Sequence, residues 1–417
     1  MATEPVKENI KAIYDIHCHA MNLSHPNLMA YFDRFKMDFK IMGPVHEAQK
    51  NNMTGKFKRM LNLLSMMENE LGDFFLIWEY YLKIDKELVN KKNKFTVLNQ
   101  EFDKLILTPL VVDFGKKDWN SFDVFYKVPP SKPVEEQIVD LFNGIAKYSK
   151  NDINITDTGA IVYKDSEKEN KLFEIYPFYG INPNLIELSE VKDNMNRFFG
   201  NFDGQRENLF KNMGNFDGNF KSLGDFCFSG LKIYPPLGVD PYPLESAPAM
   251  KKMEFIYDFC VKKNIPVTVH CSDTGYVTVK NAKTITHPNR WEKVLNDFPE
   301  LKLNLAHFGY QRPGIIFGST VWNRKVINLC QRFKNVYSDI SCLGFTKKFY
   351  KEFALTMREN PHLFKKMMFG SDFMINLSWT ESYNEYLKLY TQTDRLQDRI
   401  KEQMMVHNPE KFLWNKV

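Results

Sequence analysis

A parallel α/β barrel of eight strands, (β/α)8, is the fold class this sequence predicts, and three observations predict it. From residue 228 to residue 405, short apolar segments of strand length alternate with amphipathic helical segments, the rhythm of parallel strands joined by crossover helices. Three further strand-like segments precede them, which brings the count to eight, the number that closes such a sheet into a barrel. No G-x-G-x-x-G or G-x-x-x-x-G-K-[S/T] turn follows any strand, which removes the nucleotide-binding open-sheet alternatives.

The first strand covers about 12–19 and ends in Tyr14-Asp15-Ile16-His17-Cys18-His19. A long excursion follows. Phe57, Met60, Leu61, Leu64 and Leu71 stand at helical spacing over 53–71, and 74–89 reads as a second, aromatic-rich helix. Such a stripe is packing surface, against the barrel or a second subunit. The second strand is 105–113, and the Pro-rich linker 128–133 opens a helix over 134–148. A polar stretch over 153–171 has room for a hairpin near 160–163, before a third strand at 173–180. Gly-Asn-Phe-Asp-Gly occurs at 200–204 and again at 214–218. Asp-Gly is turn chemistry, and no twelve-residue calcium loop with a closing Glu is present. The remaining strands are 228–234, 266–270, 301–307, 336–341 and 367–372, with helices between them and two more to close the chain. The expected organisation is one domain over 1–417, with insertions at about 20–104 and 115–172.

Composition narrows the classes. A chain of 417 residues that is 43% hydrophobic and 26% charged has material for a large core. The net charge of +5, from 56 basic and 51 acidic residues, is small and scattered, unlike a nucleic-acid surface. Six cysteines without a C-x-x-C pair read as reduced core thiols, Cys18 and Cys271 among them. The N-terminus has no signal-peptide character, and the most apolar run, 74–82, is far short of the ~20 residues of a membrane helix. A cytoplasmic protein acting on a small molecule is expected, with neither nucleic acid nor membrane as partner; a homo-oligomer stays open.

In such barrels the chemistry sits at the C-terminal ends of the strands. Those ends supply His17 and His19, then Lys232, His270, His307 and Asp372. Strand alternation puts His17 and His19 on one face, with Asp15 beneath them. Four of only nine histidines at strand ends, joined by an Asp and a Lys, form a pattern suited to a metal. His25, His46, His287, His362 and His407 lie in loops or at helix ends. Tyr234, Asp273, Tyr276 and Arg312 follow the same strand ends and are candidate substrate-binding residues.

The chain resembles the amidohydrolase superfamily of metal-dependent barrel enzymes, and in particular its amidohydrolase-2 branch. The carrying segments are Asp15 to His19, Ser229 to Pro236, Ile265 to His270, Leu303 to Gly309 and Phe369 to Asp372, with an ending at Asn408 to Leu413. The resemblance implies that His17, His19, His270 and Asp372 bind one divalent metal, for which this donor set suits Zn²⁺. A bound Zn²⁺ lowers the pKa of water to about 7. The resemblance further implies Asp372 as the proton shuttle and His307 as the group that polarises the scissile carbonyl or stabilises the oxyanion. Lys232 would bridge two metals if carboxylated, or contact an anionic substrate. The expected function is a metal-dependent hydrolase of a C–N or C–O bond in a small cyclic or anionic substrate. The branch also contains metal-dependent decarboxylases, which is the alternative; a metal-binding barrel without turnover is the third.

Overall fold

The computed structural model describes residues 10–25, 55–115, 132–311 and 320–415. Its strands are β1 (Ala12–Cys18), a small hairpin of β2 (Phe95–Val97) and β3 (Gln100–Phe102), then β4 (Lys104–Pro109). A second hairpin pairs β5 (Asn151–Ile155) with β6 (Ile161–Asp165). They are followed by β7 (Phe173–Ile175), β8 (Phe178–Gly180), β9 (Gly230–Ile233), β10 (Val267–Val269), β11 (Leu303–Leu305), β12 (Val336–Asp339) and β13 (Met367–Met368). The hairpins aside, every pairing is parallel, in the orders β1-β4-β7 and β8-β9-β10-β11-β12-β13.

β7 and β8 are one barrel strand interrupted at Pro177, which has no N–H to donate. Its first part pairs back to β4 and its second forward to β9, so the two sheets are continuous through it; the bond from Val111 N to the Phe178 carbonyl (3.2 Å) adds to the join. At the other seam, Ile16 N donates to the Phe369 carbonyl (3.3 Å) and Asp372 N to the His17 carbonyl (2.7 Å). Eight parallel strands thus run round a ring, as predicted.

The strand sequences explain which way they face. Leu231-Lys232-Ile233, Val267-Thr268-Val269 and Leu303-Asn304-Leu305 alternate apolar and polar residues, and in register Lys232 pairs with Thr268 and Thr268 with Asn304. The apolar members join the main core with the helices, so the polar ring Lys232–Thr268–Asn304 looks into the barrel. A second apolar cluster joins Tyr14, Ile106, Tyr176, Tyr337 and Met368 to Phe412, Leu413 and Trp414, and closes the barrel near the N-terminal ends of its strands.

Helix Ala247–Lys263 follows β9, Pro288–Asp297 follows β10, Val321–Arg332 follows β11 and Lys347–Glu359 follows β12. Caps set their starts: Ser246, Thr320 and Thr346 each accept a backbone N–H of the first turn. The excursion after β1 forms helices Gly55–Met67 and Leu71–Ile84. The second ends five residues earlier than the sequence suggests, and the hairpin β2–β3 was not anticipated. Its aromatic stripe packs on the barrel: Trp78 stands 4.3 Å from Phe373 and 5.2 Å from Phe173, ring to ring. In the Gly-Asn-Phe-Asp-Gly repeats, Asp203 and Asp217 accept the amides of Gln205 and Asn219, as turn chemistry requires.

Candidate metal centre

Between Asp15 and Cys18, β1 advances three residues while β4 advances two, from Leu107 to Pro109. This bulge breaks strand alternation. Tyr14 and Ile16 face the barrel interior, and Asp15 does not lie beneath the histidines as alternation had placed it. Its Oδ1 accepts the amides of His17 and Ser371, and burial raises its pKa to about 7. Beyond the bulge His17 turns inward. Gly370 makes room, because a Cβ there would come within 2.7 Å of the His17 Cβ.

Asp372 Oδ1 lies 3.4 Å from His17 Nε2 and 3.2 Å from His19 Nε2. The other ring nitrogens decide what these contacts are. His19 Nδ1 is 2.9 Å from the Leu110 carbonyl, which can only accept, so Nδ1 carries the hydrogen. His17 Nδ1 is 3.1 Å from a carboxylate oxygen of Asp339 and carries its hydrogen for the same reason. In the neutral rings both Nε2 atoms are then lone pairs, aimed with Asp372 Oδ1 at one region. His17 Nε2 has no hydrogen-bond partner. Three acceptors facing one another repel unless a cation lies among them. A proton is a poor candidate at His17, whose pKa burial lowers to about 3. A divalent metal, bound by neutral imidazoles and a carboxylate, fits the donor set.

His270 and His307 repeat the pattern. His270 Nε2 donates to the Thr274 carbonyl (2.8 Å) and His307 Nδ1 to the Ser341 carbonyl (3.1 Å). The remaining pair, His270 Nδ1 and His307 Nε2, are lone pairs 3.1 Å apart. Burial, with the neighbouring His307 and the charge of Lys232, holds His270 well below the usual imidazole range. The loop reaches His270 through Gly275 (φ +108°), where a Cβ would lie 2.6 Å from both His270 Nε2 and the Tyr234 hydroxyl. His17, His19 and Asp372 form one compact group, whereas His270 sits beside His307 rather than inside it.

Burial works to raise Asp372, but its imidazole neighbours His19, His17 and His307 offset that and hold its carboxyl well below the usual range. Asp372, His307 and Cys342 have left-handed backbones at φ +60°, +61° and +57°, and such strain in non-glycine residues gathers at working sites. Lys232 is 1% exposed, and its Nζ has no hydrogen-bond partner. Burial brings its pKa down to about 8, against the pull of Asp372 and Asp339.

Above these groups opens a cavity of about 430 Å³, lined by His19, His270, His307, Asp372, Tyr234 and Tyr276. Its walls pair Phe114 with Tyr276 (5.3 Å) and Phe345 with Trp379 (6.0 Å, stacked at 15°). Of the other sequence candidates, Asp273 is 3.7 Å from Lys283 and does not line the cavity. Arg312 lies outside the described residues, as does His46. His25 is buried against Asp140 at 2.8 Å. Missed altogether were Asp339 and Ser341 on the seventh barrel strand, and Asn304. Asp339 ends its strand as His307 and Asp372 end theirs, which was the available signal.

The family model described as amidohydrolase matches residues 221–413. No curated protein matches the chain. Among solved structures, a zinc-bound amidohydrolase from Burkholderia multivorans is 9% identical, covering 97% of this chain and 100% of its own, at a TM-score of 0.46. A probable 2-pyrone-4,6-dicarboxylic acid hydrolase from Acinetobacter baumannii is 11% identical, with coverages of 96% and 98% and a TM-score of 0.44. A dihydroorotase from Campylobacter jejuni is 12% identical, with coverages of 100% and 88% and a TM-score of 0.37.

Proposed function

We propose that this chain, whose residues 221–413 match the amidohydrolase family model, is a metal-dependent hydrolase that cleaves a C–N or C–O bond of a small substrate. The observation that carries this reading is the convergence of His17 Nε2, His19 Nε2 and Asp372 Oδ1, all acceptors, with His19 and Asp372 lining the cavity. His17, His19, His270 and Asp372 would hold one divalent ion, and Zn²⁺ suits their nitrogen-rich set. Bound there, the ion supplies a Lewis acid and lowers the pKa of water to about 7. Asp372, held ionised and facing the cavity, takes the proton of the attacking water and returns it to the leaving group. Neutral His307 donates through Nδ1 to Ser341, so its Nε2 accepts a proton first and becomes a donor to an oxyanion only as imidazolium. Lys232 lies buried near Tyr234 with its Nζ 5.7 Å from that ring; its carboxylation would supply a carbamate oxygen ligand for a second ion.

Decarboxylation of an aromatic acid is the second reading, favoured by the two aromatic pairs of the cavity wall, which suit a planar ring. Metal analysis and a substrate panel separate the possibilities. We expect about one divalent ion per chain, and turnover of a lactone, aryl ester or cyclic amide that is lost on chelation and restored by zinc. Carbon dioxide release from aromatic acids, without hydrolysis, would select the second reading. No bound metal after supplementation with zinc and manganese would remove both.

A further inference from the structure

The end of β12 carries a fully buried carboxylate for which the hydrolytic reading has no use. Asp339 accepts on both oxygens. Oδ2 faces His17 Nδ1 at 3.1 Å and Asn304 Nδ2 at 2.7 Å. Oδ1 accepts the backbone amides of His307 and Ser341, each at 3.0 Å, and the Ser341 hydroxyl. Ser341 Oγ in turn lies 3.0 Å from His17 Nδ1 and 2.9 Å from His307 Nδ1. One carboxylate therefore touches the ring of one histidine and the backbone of the other.

The chemistry of these contacts is specific. An ionised carboxylate offers only acceptors, so the single hydrogen of neutral His17 is drawn to Nδ1 and the lone pair is left at Nε2, beside Asp372. A neighbour that offered a donor instead would move the hydrogen to Nε2 and destroy the lone pair. At the same time Asp339 Oδ1 holds the His307 amide in the left-handed turn that presents that ring to His270.

We propose that Asp339 is a positioning residue that selects the metal-binding tautomer of His17 and fixes the turn bearing His307, so that the site's affinity for a divalent ion depends on a carboxylate that does not touch the ion. The inference rests on the reading of His17 as a metal ligand.

Asp339→Asn is the direct test, because it keeps the shape and replaces an acceptor with a donor. Asn304, whose Oδ1 has no hydrogen-bond partner, can turn its amide to receive the new N–H. Zinc affinity of the purified chain, read by competition with a chromophoric chelator, should fall about 10–100-fold. In metal-free protein the His17 ring hydrogen, read by ¹⁵N–¹H correlation, should move from Nδ1 to Nε2. Ser341→Ala leaves the carboxylate in place and should keep the His17 tautomer. Unchanged zinc affinity together with an unmoved tautomer in Asp339→Asn overturns the inference. So does an Nε2–H His17 in the metal-free wild type, a measurement that does not depend on any variant folding. If wild-type protein binds no zinc, the metal reading fails, and the tautomer measurements alone decide the role of Asp339.

Discussion

The two halves of the barrel solve the same structural problem differently. From β9 onward each strand is short and a helix follows it, and four of the five strands put a polar side chain of the candidate centre at or just beyond their ends: Lys232, His270, His307 and Asp372, with Asp339 on the fifth. Before β9 the chain spends more than two hundred residues on three strands, and of the centre's residues only His17 and His19 come from there. What the first half adds is packing. Helix Leu71–Ile84 lays Phe74 and Trp78 against Phe373, the residue after Asp372. Glu79 on the same helix is fully buried against Lys171 and the Tyr148 hydroxyl. The regular half places chemistry, and the elaborated half presses on its back.

Substitutions can break that division of labour. The largest effect is expected for Asp372→Asn. Loss of the proposed proton shuttle should lower turnover by about 10²–10⁴-fold, while the urea midpoint stays near wild type, since a buried carboxylate is removed without a change of shape. A collapse of stability in this variant would deny the separation. Next comes Trp78→Ala in the elaborated half. Removing a buried ring that touches Phe373, Phe173 and Tyr383 should cost about 3–5 kcal/mol of stability, read by urea denaturation. The smallest effect belongs to Lys58→Ala. Its ion pair with Glu381 joins helix Gly55–Met67 to the loop after β13, but both partners are about half exposed. The expected loss is under about 1 kcal/mol, and a larger one would mean that this contact holds the Ile375–Trp379 wall of the cavity.

Much of this was legible in the sequence because it depends on local rules. Alternation in Val267-Thr268-Val269 or Leu303-Asn304-Leu305 marks strands whatever surrounds them. The ends of those strands are where a parallel barrel gathers its polar groups, so His270, His307 and Asp372 could be named in advance. The same rules read the helix at 247–263 and the turns at Asp203 and Asp217.

Other features had no local signature. Alternation placed Asp15 with His17, and the bulge between Asp15 and Cys18 undid that, because bulges are set by the neighbouring strand and not by the strand itself. Asp273 shares a strand end with His270 but turns to Lys283, a partner ten residues away in the short helix Ala282–Thr286. Asp339 is a single carboxylate in an ordinary strand, and only the fold brings it against His17, 322 residues distant in the chain. The sequence by itself determined the strand count, the parallel arrangement and most of the polar groups at the strand ends. The tertiary structure alone decided the tautomers, because a histidine's hydrogen goes where a distant acceptor waits for it. At His17 and His19, the pair on β1, those acceptors are Asp339 and the Leu110 carbonyl, and they leave both Nε2 atoms open toward Asp372.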